Sequence, residues 1–131
     1  MSIEYTFTSK AFPPVPGEDS ELINEGTYGK ALLDWYAKEI QKRGCVAEDY
    51  IPEDFGWYAY LKVGSSKAGV ACSVIHDTTT DSQECHLTIE PCGLLMKFFG
   101  SAKKDFEQLV RITDEILNAN IEIGNIQKNG E

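Results

Sequence analysis

The chain is poor in the features that would tie it to a membrane, a nucleic acid or a metal. No apolar run approaches the roughly 20 residues that a membrane-spanning helix needs. The opening Met1-Ser2-Ile3-Glu4-Tyr5 has neither the basic n-region nor the apolar h-region of a secretory signal, so a cytoplasmic protein is expected. Cationic residues are scarce, 12 Lys and Arg against 21 Asp and Glu, for a formal net charge of −9. Phosphate backbones demand basic surface, so no nucleic-acid partner is expected. The cysteines stand at 45, 72, 85 and 92 with no Cys-x-x-Cys pair, so neither a structural zinc nor any other cofactor is expected. Without a secretory signal they read as reduced, buried thiols rather than as two disulfides. Internal repeats, linkers and low-complexity blocks are absent too, and 131 residues suffice for one domain (1–131) with its own core.

What is present is periodicity. Ile3, Tyr5 and Phe7 alternate with Glu4, Thr6 and Thr8, the pattern of a half-buried strand. Residues 12–26 carry Pro13, Pro14, Pro16 and Gly17, then Glu18, Asp19 and Glu21, and read as an extended loop with an acidic patch. A helix is expected over about 27–43, with Leu32, Leu33, Tyr36 and Ile40 on one face and Tyr28 and Trp35 along its flank. Lys42-Arg43-Gly44 supplies its end: cations beside the last carbonyls, then a residue able to turn left-handed. A short strand over about 45–51, with Val46 and Tyr50 on one side, precedes three alternating runs. These begin near Trp57, Val70 and Cys85, are joined by polar turns, and make an antiparallel meander closed by Pro91. A second helix follows with Ser101 as N-cap and a stripe of Phe106, Leu109, Val110, Thr113, Ile116, Leu117 and Asn120. Residues 118–131 are either a frayed tail or a last edge strand containing Ile121 and Ile123. The order β-α-β-β-β-β-α, with or without that final strand, predicts an α+β two-layer sandwich. One mainly antiparallel sheet of about four to six strands would carry two helices on one face.

Four groups of residues could carry function. The first is 52–58, with Pro52, Gly56, the adjacent Glu53 and Asp54, and Phe55, Trp57 and Tyr58. Turn chemistry explains most of it, with Phe55 or Trp57 entering the core and Glu53 and Asp54 left in solvent at the edge of a recognition surface. Adjacent carboxylates point apart, so they do not make an acid/base pair by themselves, and no catalytic residue is assigned. The second is the aromatic set Tyr28, Trp35, Tyr58 and Tyr60, which either straddles the core boundary or lines a groove. In the third, Cys72 with His76 and Cys85 with His86 stand close in sequence, but without the spacing or helper carboxylate of a metal site, so no metal ligand is assigned. In the fourth, Lys97, Lys103 and Lys104 flank Ser101 at the start of the second helix, where free N–H groups could hold an anion. Beside them Leu94, Leu95, Met96, Phe98 and Phe99 form a candidate homodimer surface if the helix leaves them uncovered.

Tyr28-Gly29-x-x-Leu32-x-x-Trp35, a helix ending at Gly44, and Pro52-Glu53-Asp54-Phe55-Gly56-Trp57 together resemble a group of small uncharacterised bacterial proteins, over roughly the first half of the chain. That group carries no assigned activity, so the resemblance implies no catalytic residue. In size, acidity and layered form the chain is also similar, at the level of class, to immunity proteins that neutralise bacterial toxins. The leading expectation is a non-enzymatic binding protein for a basic protein partner. Its surface would comprise Glu18, Asp19, Glu21, Tyr28, Glu53 and Asp54, with Trp35 and Trp57 as anchors. The rival is a small enzyme or small-molecule binder with Glu53, Asp54 and His86 in an aromatic-lined cleft between helix and sheet. A homodimeric structural protein is the third reading.

Overall fold

The computed structural model describes residues 2–92 and 100–130. The chain runs β1 (Ile3–Ser9), a 3-10 turn (Glu18–Ser20), β2 (Thr27–Tyr28), α1 (Lys30–Gln41), β3 (Val46–Glu53), β4 (Gly56–Val63), β5 (Ser66–Ile75), β6 (Gln83–Pro91), α2 (Gly100–Ala119) and β7 (Ile123–Gly130). The strands form one seven-stranded sheet in the order β3-β4-β5-β6-β1-β7, all neighbours antiparallel, with the short β2 paired to β5 beyond the end of β4. This is the expected α+β architecture, with seven strands where four to six were expected because Thr27–Tyr28 and Ile123–Gly130 join the sheet. The sequential meander β3 to β6 builds one half, and the first and last strands close the other.

The core lies between the sheet and the two helices. Leu32, Leu33, Tyr36 and Ile40 of α1 and Phe106, Leu109, Ile116 and Leu117 of α2 meet alternate residues of the strands: Tyr5 and Phe7, Trp57 and Leu61, Val70 and Cys72, Leu87 and Ile89. Period 2 in the strands and 3.6 in the helices thus commit one face of every element to the same apolar layer. Tyrosines make two of the polar links across it. Tyr36 and Thr113 share a hydrogen bond of 2.8 Å between the helices, and Thr113 also donates to the Leu109 carbonyl. The Tyr5 hydroxyl donates to Asp114 at 2.6 Å, and burial, together with that carboxylate, holds the phenol protonated far above the ordinary tyrosine range.

Several local expectations are corrected. The first helix starts at Lys30, not near Thr27, because Thr27 and Tyr28 pair with Ile75 and Val74 as β2. Gly29 makes the transition with φ 156°, a position where a Cβ would collide with the Cys72 backbone, so Tyr28 does not share the helix flank with Trp35. The strand after α1 extends to Glu53 and takes in Pro52, which an edge strand tolerates. A bulge at Asp49 (φ 59°) shifts its register, leaving Val46 exposed and Tyr50 packed on the core instead of sharing one side. Ser101 lies inside α2 rather than capping it, since the helix already includes Gly100. On α2, Ile112 joins the buried stripe and Asn120 falls beyond its end. Residues 118–131 do supply a strand, β7 against β1, but Ile121 stays outside it and fully exposed.

Candidate functional site

The acidic loop turns inward. Glu18 is 1% exposed, and its carboxylate accepts four N–H donors: the Val15 backbone at 2.9 Å, the Gly29 and Lys30 backbones at 3.1 Å each, and the Trp57 indole at 2.9 Å. Two of those donors open α1, so Glu18 satisfies free helix N–H groups and sits at the positive end of the helix dipole. Its neighbours are engaged as well. Asp19 accepts from the Tyr28 hydroxyl, while Glu21 pairs at 2.9 Å with Lys30, whose ammonium lies 4.8 Å above the Trp57 ring. Trp57 itself is 2% exposed, and Trp35 packs against buried Phe12 with ring centroids 5.3 Å apart. Glu18 and Trp57 are therefore interior residues, a correction to the expectation that they belong to an exposed surface. They fasten the 12–26 loop, the start of α1 and strand β4 to one another. Among the described residues, the helix–sheet interface is filled by packed core side chains.

Among the described residues, the opposite face of the sheet carries no helix. There the outward residues of four strands and the β3–β4 turn line a concavity of about 730 Å³: Glu4 from β1, Glu53 and Phe55 at the turn, Tyr58 and Tyr60 from β4, Ala71, Ser73 and Ile75 from β5, and His86, Thr88 and Glu90 from β6. Three carboxylates line it and no lysine or arginine does, among the described residues. Its aromatic part is built on a glycine. A Cβ at Gly69 would overlap the Tyr58 phenol, so the missing side chain lets Tyr58 lie across β5 and reach Glu90 on β6, its hydroxyl donating at 3.2 Å. Burial, then the Cys92 thiol and Glu90, raise the Tyr58 pKa well above the ordinary tyrosine value. Tyr60 stands edge-on to Tyr58, with centroids 5.4 Å apart and planes at 81°, and is 43% exposed. At the other side His86 hydrogen-bonds Glu84 at 3.1 Å and lies 3.9 Å from Glu4.

Among the residues singled out in the sequence, Glu53, Phe55, Tyr58, Tyr60 and His86 come together here. Asp54 is exposed at the turn tip beside the half-exposed Phe55, its carbonyl accepting from Asn24. Tyr28 is edge-on to His76 in a separate hollow with Asp19, and Trp35 is on the helical side. The four cysteines are free. Cys72 pairs with Leu87 and Cys85 with Val74, both thiols inside the core, and His76 lies past the end of β5 rather than on a face with Cys72. No group of three metal-ligating side chains gathers among the described residues. Lys103 and Lys104 are exposed on α2, whereas Lys97 and the apolar residues Leu94, Leu95, Met96, Phe98 and Phe99 lie outside the described residues. Glu4, Ile75 and Glu90 were not anticipated. Their signal was the outward half of each alternating strand, legible only once the strand order is known. No helix among the described residues is long and apolar enough to cross a membrane. Comparison with known proteins finds no matching family model, no similar curated protein and no similar solved structure.

Proposed function

We propose that the chain is a non-enzymatic binding protein of the immunity type, which docks a basic protein partner on the open face of its sheet. One observation carries the reading: a concave, tyrosine-bearing surface of about 730 Å³ whose described lining has three carboxylates and no lysine or arginine. Tyrosine anchors give contact area at low entropic cost, and a ring of like charge speeds encounter with an oppositely charged partner. The net charge of −9 acts in the same direction and opposes a second copy of the chain as the occupant. Relative to the sequence-based expectation, the surface moves from the acidic loop to the outer sheet face and keeps Glu53 from the original set.

The test compares partners captured from a native lysate by the wild-type protein and by a Glu53→Lys, Glu90→Lys double variant. A basic protein retained by wild type at low salt, weakened by added salt and lost in the variant, is the expected outcome. Equal capture by both proteins, or capture of no basic protein, would sink the proposal. A small cationic metabolite is the alternative occupant, because Glu53 and His86 do share this aromatic-lined concavity. Thermal stabilisation by amine or guanidine compounds, with no protein retained, would favour it.

A further inference from the structure

Resting on that reading, we infer that the corner formed by Tyr58 and Tyr60 is a subsite for one arginine side chain of the basic partner. The two rings stand at 81° to each other on one strand, so they form two walls of a box rather than a stacked pair. Tyr58 is held in place from below by Gly69 and at its tip by Glu90, which fixes the corner before any ligand arrives. Tyr60 is the free wall, with 43% of its surface in solvent. Glu90 and Glu53 line the same concavity and supply negative charge within it.

A guanidinium matches this combination better than an ammonium does. It is planar, less strongly hydrated, stacks on a phenol face, and can offer two parallel N–H groups to a carboxylate. Lysine would gain the charge attraction but not the planar stacking. An anionic or purely apolar side chain would meet carboxylates that it cannot satisfy.

The probes are end-capped hexa-arginine and hexa-lysine peptides, titrated into the full chain by NMR with backbone and tyrosine ring signals followed. The arginine peptide should bind more tightly and move the signals of Tyr58 and Tyr60. Tyr60→Leu should weaken the arginine peptide by about threefold to thirtyfold, the scale of a partly desolvated cation–π contact. It should weaken the lysine peptide less than the arginine peptide, and Tyr60→Phe, which keeps the ring, should restore arginine binding. Because Tyr60 is half outside the fold, an unchanged amide spectrum verifies that the leucine variant is folded. If both peptides perturb the open face but Tyr60→Leu affects them equally or not at all, the arginine subsite is wrong while the acidic docking face stands. If neither peptide perturbs that face, the docking face itself is wrong.

Discussion

The two faces of the sheet use the same strands in opposite ways. On the helical side, residues such as Tyr5, Trp57, Cys72 and Leu87 are buried under α1 and α2, and every buried polar side chain among the described residues has a partner. On the outer side, the next residues along the same strands, Glu4, Tyr58, Ser73 and His86, face the concavity. The contrast separates the face that carries stability from the face proposed for recognition. Polar groups on the covered face are fastened to hold the fold, whereas the outer face leaves aromatics and carboxylates accessible. The acidic residues divide along the same line, since Glu18 is consumed as an interior pin and Glu53 and Glu90 remain on the surface.

The largest expected effect tests whether the covered face alone carries stability. Leu109→Ala, in the α2 stripe, should lower the unfolding free energy by about 2–5 kcal/mol through lost burial and a residual cavity. Tyr60→Leu on the outer face should change it by less than about 0.5 kcal/mol, as for an ordinary surface substitution. Urea denaturation of both variants decides it, and a comparable loss from Tyr60→Leu would break the comparison. Next in size is the division among the carboxylates. Glu18→Gln places an amide group among four N–H donors that now share one carboxylate, and should cost about 1–3 kcal/mol. Glu53→Gln should be close to neutral in the same experiment, and equal losses would remove Glu18 from its role as a pin.

A further expected effect lies on the alkaline side. Burial raises the Cys85 thiol from 9.0 to about 12 and pushes Cys72 higher still, while the unfolded chain titrates near the ordinary value. Between those values the folded state binds more protons. The thiol contribution is therefore complete below about pH 9 and is lost as pH rises toward about 12. In reducing buffer the urea midpoint should fall over that range, and a Cys72→Ala, Cys85→Ala variant should show a shallower fall. Identical slopes would show that the buried tyrosines, not the thiols, carry the dependence.

Much of the molecule was legible in one dimension. The apolar face of α1, most of the α2 stripe, the left-handed Gly44 (φ 87°) and the alternation of β1, β4, β5 and β6 all follow from neighbours within a few residues. Local propensity lost at Gly29, where pairing with β5 captured two residues that a helix could have taken. It lost again at Asp49, where a bulge reversed which side of β3 faces the core.

The sequence by itself determined the layers, because hydrophobic period depends only on spacing along the chain. It also set the acidity of whatever surface would result. Tertiary structure alone decided which acids are surface. Glu18 disappears because donors from Val15, Gly29, Lys30 and Trp57 converge on it, the last from 39 residues away. The concavity exists because β1 is inserted beside β6, setting Glu4 near His86, and because Gly69 lets Tyr58 cross a neighbouring strand. Such convergence is set by strand order and register, which couple residues far apart in the chain and leave no mark on local spacing.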